Sequence, residues 1–246
     1  MKKVALITGA RGGIGSAITT ALLAQGYRII ATHSSPNGAA AHDWYGEQGF
    51  RPDQVRLLAL DVADTAMCRD TLGRLLQDEG RVDVLVNNAG ITRDGAFKRM
   101  TPEQWFEVIH TNLCSLYNVT QPLFDAMCEL RDARIINISS VNGQKGQFGQ
   151  VNYSAAKAGM LGFTKALAAE GARFGVTVNA IAPGYTATPM VEAIRTDILD
   201  SIKADIPMRR LAKPEEIAAA VVFLASEAGA YITGETLAIN GGLYMK

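Results

Sequence analysis

A tyrosine and a lysine four residues apart are the first candidates for chemistry, at Tyr153 and Lys157 in the stretch QVNYSAAKAG. Residues i and i+4 lie on the same face of a helix, so the two side chains would point the same way. A phenol with an unperturbed pKa of about 10 is a poor acid at neutral pH, but a neighbouring ammonium lowers that pKa. Such a pair could move a proton to or from a carbonyl oxygen. Many helices carry this spacing without any catalytic role, so further residues must support the interpretation.

Ser140 provides that support, because it precedes Tyr153 and closes a predicted strand that ends Asn137-Ile138-Ser139-Ser140. Open α/β sheets bind their ligands at the carboxyl ends of strands. A serine hydroxyl at that place can donate a hydrogen bond to a carbonyl oxygen, although it can equally well form a turn.

A glycine-rich turn, TGARGGIG at residues 8–15, follows the first predicted strand and opens the first predicted helix. Gly9 permits a tight turn, while Gly13 and Gly15 let the backbone approach a pyrophosphate at the positive end of the helix. A purely structural strand–helix turn is the alternative. Asn87-Asn88-Ala89-Gly90 closes the fourth strand and suits a backbone held open beside a cofactor. The two turns together predict a dinucleotide site.

The segment after the second strand indicates which dinucleotide is bound. Residues 31–35, Ala-Thr-His-Ser-Ser, contain no carboxylate to hold the ribose hydroxyls of NAD. This removes repulsion toward a 2′-phosphate, for which the Ser34 hydroxyl and Arg11 are candidate contacts. We therefore expect NADP, although no arginine stands close after that strand to secure it. Asp61, followed by Val62, closes the third strand and is expected to accept a hydrogen bond from the adenine amino group, with a helix cap as the alternative role.

Short aliphatic runs alternate with longer helical patterns, which predicts a single α/β domain over residues 1–246 with a parallel sheet covered on both faces. The predicted strands are Val4–Ile7, Arg28–Ala31, Val55–Leu60, Val84–Val86, Ile135–Ile138, Val176–Ile181 and Thr236–Ile239. Helices are predicted near residues 14–25, 65–79, 102–128, 151–174 and 214–226, with one more between 33 and 54. Pro122 should kink or break the helix in which it falls.

Composition argues against several classes of function. The 246 residues include 24 Lys and Arg and 24 Asp and Glu, which gives no electrostatic argument for nucleic acid or an anionic membrane. Cys68, Cys114 and Cys128 have neither metal-ligand nor disulfide spacing. No apolar stretch approaches the roughly 18 residues of a membrane span. We expect a cytoplasmic protein without a metal site.

Taken in order, TGARGGIG, NNAG, ISS and YSAAK resemble the motifs of the short-chain dehydrogenase/reductases, a family with a Rossmann-type doubly wound sheet of about seven strands. The resemblance implies that Tyr153 is the catalytic acid, that Lys157 lowers its pKa and binds the nicotinamide ribose, and that Ser140 orients the substrate carbonyl. It also implies that Asn112 holds a water for proton relay. The cofactor-binding residues expected from motifs and resemblance are Gly9, Arg11, Gly12, Gly13, Ile14, Gly15, Ser34, Asp61, Val62, Asn88, Ala89, Gly90, Tyr153, Lys157, Pro183, Gly184, Thr186 and Thr188.

Two branches of that family compete. Residues 91–94 and the tail YITGETLAINGGLYMK resemble the 3-oxoacyl-[acyl-carrier-protein] reductases of fatty-acid synthesis. By contrast, VNGQKGQFGQ at 141–150 and GYTATPMVEAIRTDILDSI at 184–202 resemble the acetoacetyl-CoA reductases of polyhydroxybutyrate synthesis. Because the latter segments should flank the substrate, the resemblance implies NADPH-dependent reduction of acetoacetyl-CoA to (R)-3-hydroxybutyryl-CoA.

Two alternatives remain. A carrier-protein reductase would need a basic docking patch, to which Arg131, Arg134 and Arg173 could contribute. A non-catalytic NADP sensor is the alternative of another class, and the complete Asn–Ser–Tyr–Lys set argues against it, because a sensor needs no proton relay.

The substrate segments supply further candidates. Phe148 and Tyr185 could form a small apolar surface for a short acyl chain, and the Gln147 and Gln150 amides could bind the thioester or pantetheine. The full set of expected substrate contacts is Asp94, Ser140, Gln147, Phe148, Gln150, Tyr185 and Arg195. Residues 187–210 are expected to form a mobile lid. The family assembles as tetramers through its long helices and last strand, so a homotetramer is expected.

Overall fold

A computed structural model describes residues 2–34, 38–192 and 194–245. Within these ranges seven parallel strands form one sheet in the order β3-β2-β1-β4-β5-β6-β7. The strands are β1 (Val4–Ile7), β2 (Arg28–His33), β3 (Val55–Ala59), β4 (Val84–Asn87), β5 (Ala133–Ile138), β6 (Val176–Pro183) and β7 (Thr236–Ile239). The predicted doubly wound α/β sheet is confirmed.

The strand order reverses beside β1, which pairs with β2 on one side and with β4 on the other. Connections therefore leave the sheet in opposite directions at this point, and the carboxyl ends of β1 and β4 border a crevice. Open parallel sheets bind ligands at such a crevice. The glycine-rich turn and the NNAG turn both begin at this edge.

Ten helices occupy the described ranges: α1 (Gly13–Ala24), α2 (Gly38–Glu47), α3 (Thr65–Glu79), α4 (Pro102–Ile109), α5 (Ser115–Leu130), α6 (Asn142–Lys145), α7 (Val151–Gly171), α8 (Pro189–Glu192), α9 (Thr196–Asp205) and α10 (Pro214–Ala225). Short 3₁₀ turns at 97–99, 172–174 and 227–229 and a π-helical turn at His110–Cys114 are also present. None of the described helices is long and apolar enough to cross a membrane.

The helices cover the two faces of the sheet because side chains alternate along each strand. Ala5 and Ile7 pack with α1, α2 and α10 on one face, while Val4 and Leu6 pack with α3, α5 and α7 on the other. Both clusters are buried apolar layers with partly buried apolar side chains packed against them. Trp44 of α2 also donates from Nε1 to Oγ of Ser16, 3.0 Å away in the first turn of α1.

Local signals explain several helix ends. Asp64 accepts a hydrogen bond from the backbone N of Met67 at 2.9 Å and so caps α3. Thr101 and Gln104 form a reciprocal capping box at the start of α4. Gly80 ends α3 in the left-handed conformation, with φ of 74°.

The predicted helix 102–128 differs from the structure in where it is interrupted. The chain forms α4, a π-helical turn at His110–Cys114, and then α5, which continues through Pro122. The expected break at Pro122 is therefore wrong. Val119, Leu123 and Met127 are buried on both sides of the proline, and this packing holds α5 together.

Candidate active site

Four turns meet at the carboxyl edge of the sheet, and each follows a strand. They are the glycine-rich turn after β1, the 88–90 turn after β4, the 139–142 segment after β5 and the 184–188 segment after β6. This edge holds the predicted cofactor residues and the predicted catalytic residues together.

The glycine-rich turn and the 88–90 turn are interlocked. Gly9 has φ of 63°, and a Cβ added there would stand 3.0 Å from Cα of Ala89. A Cβ at Gly15 would stand 2.3 Å from the carbonyl oxygen of Gly9 and 2.8 Å from Nδ2 of Asn88. Only glycine fits these approaches, because any side chain would displace backbone.

Asn88 and Thr8 tie the two turns together. The Asn88 Nδ2 donates to the carbonyl oxygens of Thr8 at 2.9 Å and Gly9 at 3.0 Å. The Thr8 Oγ1 accepts from the backbone N of Asn88 and of Ala89, at 2.9 and 3.0 Å. The Asn88 side chain therefore holds the 88–90 turn against the glycine-rich turn, whose Gly9, Gly13 and Gly15 we call the glycine cradle. Thr8 was missed by the sequence reasoning, although it begins the TGARGGIG motif.

The turn after β6 closes over the start of α1. A Cβ added at Gly13 would stand 2.7 Å from Cγ2 of Thr188, so Thr188 lies directly against this glycine. Gly12 is the N-cap residue of α1, and no side chain caps the helix. Thr186 is buried, and its hydroxyl donates to the carbonyl oxygen of Gly184 at 3.2 Å. A glycine cradle at an uncapped helix N-terminus fits the pyrophosphate of a dinucleotide.

The expected adenosine end lies beside β2 and β3. The exposed Asp61 carboxylate accepts from the backbone N of Ala63 at 3.0 Å, while Val62 is buried and its carbonyl oxygen accepts from Nδ2 of Asn118 at 3.0 Å. Arg11 is exposed and Ser34 is half-buried. Residue 35 of the segment that suggested NADP lies outside the described residues.

Lys157 is buried in α7 and is anchored to the strand that carries Ser140. Its Nζ donates to the carbonyl oxygen of Ile138 at 2.7 Å, and the Lys157 carbonyl oxygen accepts from Oγ of Ser139 at 2.9 Å. Burial lowers the pKa of Lys157 to about 8. The helix and the end of β5 are thus joined by two hydrogen bonds at the catalytic candidates.

Tyr153 lies on the same face, with Nζ of Lys157 at 5.7 Å from its ring centroid. Burial raises the pKa of Tyr153, a hydrogen bond with Ser140 lowers it, and the charge of Asp94 raises it; the net pKa lies above the ordinary value. Desolvation outweighs the other contributions to this pKa in this geometry, and the expected lowering by Lys157 stays a prediction for the phenolate that forms during the reaction. The hydrogen bond with Ser140 is the contact that lowers the pKa of Tyr153.

The Ser140 hydroxyl is oriented by the segment that follows it. Its Oγ accepts from the backbone N of Asn142 at 3.1 Å, so its own proton remains available to another acceptor. Asn142 continues this arrangement, because its Nδ2 donates to Oε1 of Gln150 at 2.8 Å. Asn142 was missed as a site residue, although it lies within the VNGQKGQFGQ segment.

Asn112 lies fully buried in the π-helical turn and is bonded to the loop after β4. Its Oδ1 accepts from the backbone N of Ile91, and its Nδ2 donates to the carbonyl oxygen of Ile91, both at 2.8 Å. A Cβ added at Gly90 would stand 3.0 Å from Oδ1 of Asn112 and 3.6 Å from Nζ of Lys157. Asn112 and Lys157 therefore face the same glycine, and each end of the amide keeps one further bonding position.

Some of the expected substrate residues come together and others do not. Gln150 donates from Nε2 to Oδ2 of Asp94 at 2.8 Å, so these two side chains lie together beside Tyr153. Gln147 accepts from Nζ of Lys145 at 2.8 Å. Phe148 is 90% exposed at the rim.

The remaining substrate candidates lie toward the expected lid. Tyr185 is half-buried, and its pKa is raised by burial and by the charges of Asp94 and Asp205. Arg195 is exposed and forms an ion pair with Asp197 at 2.6 Å, so its charge is already partnered at the start of α9. The expected lid contains α8 and α9, and residue 193 within it lies outside the described residues.

One expected docking residue is ruled out. Arg134 is 4% exposed and forms an ion pair with Asp132, because it lies in β5 inside the sheet. It cannot belong to a basic surface patch. Arg131 and Arg173 are exposed, and both stack over the ring of Phe174.

Comparisons with known proteins agree with this architecture. The family model described as short chain dehydrogenase matches residues 3–199. The chain is 58% identical to acetoacetyl-CoA reductase of Acinetobacter sp. (strain RA3849), covering 99% of this chain and 98% of the relative. It is 55% identical to nodulation protein G of Azospirillum brasilense, covering 98% of each chain. It is 48% identical to the 3-oxoacyl-[acyl-carrier-protein] reductase of Escherichia coli (strain K12), covering 99% and 98%. With its glycine cradle and its Asn–Ser–Tyr–Lys set at one edge of the sheet, the chain belongs to the short chain dehydrogenase family.

Proposed function

We propose that this protein reduces acetoacetyl-CoA with NADPH to (R)-3-hydroxybutyryl-CoA, a precursor for polyhydroxybutyrate. The observation that carries the proposal is the convergence of Ser140, Tyr153 and Lys157 at the carboxyl end of β5, beside the glycine cradle. The similarity to an acetoacetyl-CoA reductase over nearly the whole length supports the choice of substrate. The stereochemistry of the product is taken from the family resemblance.

Family membership implies a nicotinamide cofactor, and the chain offers residues that fit one. The cradle of Gly9, Gly13 and Gly15 would hold the pyrophosphate, Asp61 the adenine, and Tyr153 with Lys157 the nicotinamide ribose. The absence of a carboxylate in the described residues 31–34 supports NADP over NAD. When bound, the reduced cofactor supplies the hydride.

The residues of the chain would supply binding, orientation and the proton. Ser140 and Tyr153 donate hydrogen bonds to the C3 carbonyl oxygen, where negative charge develops. Tyr153 then transfers its proton to this oxygen, so that hydride and proton together convert the ketone to a hydroxyl. The buried Lys157 ammonium stabilises the phenolate that remains, and Asn112 keeps bonding positions for the return of a proton from solvent.

At the entrance, the amides of Gln147 and Gln150 and the carboxylate of Asp94 would contact the thioester and pantetheine. Phe148 and Tyr185 would contact the short acyl group, and Arg195 would meet a CoA phosphate by exchanging its bond to Asp197.

The unit of function is a single domain over residues 1–246 with a lid near 187–210. We also propose a homotetramer formed through α5, α7 and the last strand.

The direct test compares initial rates of NADPH oxidation with acetoacetyl-CoA and with acetoacetyl-carrier protein. We expect a higher kcat/KM for the CoA thioester, and chiral analysis should give the (R) product. A strong preference for the carrier protein would instead assign the protein to fatty-acid elongation. Cofactor binding without turnover of any 3-oxoacyl thioester would favour a sensor.

A further inference from the structure

Asn152, the residue before Tyr153, makes three hydrogen bonds from a fully buried position with 0% exposure. Its Nδ2 donates to the carbonyl oxygen of Arg93 and to that of Gln104, both at 3.0 Å. Its Oδ1 accepts from the backbone N of Tyr153 at 2.8 Å. One amide thus joins three separate segments of the chain, and both of its N–H groups are used.

Each partner of Asn152 leads to a different part of the site. Arg93 precedes Asp94 in the loop that Asn112 holds at Ile91. Gln104 lies in α4, which runs directly into the π-helical turn that carries Asn112. The third partner is the backbone of Tyr153 itself. Asn152 therefore fixes the spacing between Tyr153, the Asp94 loop and the helix that carries Asn112.

The start of α7 depends on this side chain as well. The N-cap residue of α7 is Gln150, whose side chain bonds to Asn142 and Asp94 and does not cap the helix. The backbone N of Tyr153 would ordinarily be bonded by an N-cap side chain. Asn152 satisfies it instead, which leaves Gln150 free to line the substrate entrance.

We propose that Asn152 is a positioning residue for the reduction, a clamp that sets the place of Tyr153 relative to the Asp94 loop and Asn112. This inference rests on the proposed function. A displacement of about 1 Å of a reacting group can cost about a hundredfold in rate, so a loosened clamp should be visible in turnover.

Two substitutions at Asn152 distinguish its hydrogen bond with the Tyr153 amide from its hydrogen bonds with Arg93 and Gln104. Asn152→Ala removes all three, whereas Asn152→Asp keeps an acceptor for the Tyr153 amide but cannot donate to the carbonyl oxygens of Arg93 and Gln104. The matched control is Asn179→Ala. Asn179 is 1% exposed and bonds in the same manner, donating to Ile232 O at 2.7 Å and accepting from Glu235 N at 3.0 Å, in β6.

The expected result is a fall in kcat of about ten- to a hundredfold for both Asn152 variants, with the KM for NADPH within about twofold of wild type. Asn179→Ala should lower the melting temperature while kcat stays within about twofold. Hydrogen exchange resolved at the Tyr153 amide should accelerate in Asn152→Ala and remain slow in Asn152→Asp.

A kcat for Asn152→Asp equal to that of wild type would overturn the clamp. The hydrogen bonds to Arg93 and Gln104 would then have no role in turnover, and Asn152 would only cap the start of α7. So would equal losses of kcat in Asn152→Ala and Asn179→Ala. Failure of the proposed function has a different signature: the wild-type protein would turn over no 3-oxoacyl thioester. The clamp is then decided by hydrogen exchange alone, where unchanged exchange at the Tyr153 amide and in residues 91–95 of Asn152→Ala would overturn it.

Discussion

Tyr153 and Lys157 carry pKa shifts of opposite direction, and burial is the largest cause of both. Burial disfavours the charged form of each group, so the phenol is harder to ionise and the ammonium easier to deprotonate. A neutral phenol is the form that can donate a proton to a ketone. The raised pKa of Tyr153 thus suits reduction, which needs the acid protonated before hydride transfer.

Tyr153→Phe removes the proposed acid and leaves the ring in place. We expect kcat to fall by at least about a hundredfold even at saturating NADPH, and a separate NADPH titration measures the loss of the ribose contact. Tyr117→Phe, at an exposed tyrosine of α5, is the matched control and should keep full activity. A Tyr153→Phe enzyme with most of its activity would remove Tyr153 from the mechanism.

Lys157 should also make stability depend on pH. Because burial lowers its pKa to about 8 from 10.5, the unfolded chain holds a proton between pH 8 and 10.5 that the folded chain has lost. The free energy of unfolding should then gain about 1.4 kcal/mol per pH unit from this group across that window. Below pH 8 the folded chain also carries the ammonium, so the free-energy cost of burying this charge is fully present there.

Urea unfolding of wild type and Lys157→Met from pH 7 to 9.5 tests this. The stability of Lys157→Met relative to wild type should be highest at pH 7 and decrease above pH 8. Lys165→Met, on the exposed side of α7, provides the comparison. A pH-independent difference between Lys157→Met and wild type would contradict the account.

At the scale of elements, the cradle depends on two turns from neighbouring strands that fit only with glycine between them. Gly15 is the tightest position, since an added Cβ would stand 2.3 Å from the carbonyl oxygen of Gly9. We expect Gly15→Ala to destabilise the fold by about 1–3 kcal/mol and to weaken NADPH binding.

Gly73→Ala is the matched control for that prediction. Gly73 lies inside α3 with nothing within 4 Å of an added Cβ, so alanine should stabilise the protein by up to about 1 kcal/mol. Chemical unfolding and NADPH titration of both variants provide the comparison. A Gly15→Ala protein as stable as wild type would show that the turns can separate without cost.

The sequence could predict elements better than it could predict contacts. Strand periodicity and the two turns located all seven strands, because apolar runs and glycines are local signals. The π-helical turn at His110–Cys114 and the continuation of α5 through Pro122 were not predictable, since packing from other elements decides them. Burial likewise decided the pKa of Tyr153, which the i, i+4 spacing with Lys157 suggested in the opposite direction.

At the scale of the whole molecule, apolar side chains remain exposed along α4, α5 and α7. Phe106 is 54% exposed, Tyr117 60% and Val151 42%. Alanines such as Ala158 line the exposed side of α7. Exposed apolar surface of this kind commonly marks an interface between chains, which agrees with the proposed homotetramer.

Ala158→Arg places a charge on that surface. Light scattering after size-exclusion chromatography should show the tetramer dissociating to smaller species, because the charge would be buried without a partner. Ala66→Arg, on the exposed side of α3, is the control and should leave the assembly intact. An Ala158→Arg protein with an unchanged mass would exclude α7 from the interface.

The hydrogen bond from Trp44 to Ser16 has an optical consequence. The chain contains two tryptophans, and this one touches the first turn of the helix that opens the cradle. Indole emission overlaps the absorption of a reduced nicotinamide, so excitation of Trp44 should transfer energy to NADPH when it binds. In a Trp105→Phe background, excited at wavelengths that tyrosine does not absorb, the remaining tryptophan fluorescence comes from α2 alone. The protein thus carries a built-in reporter of cofactor binding that works without substrate and without turnover.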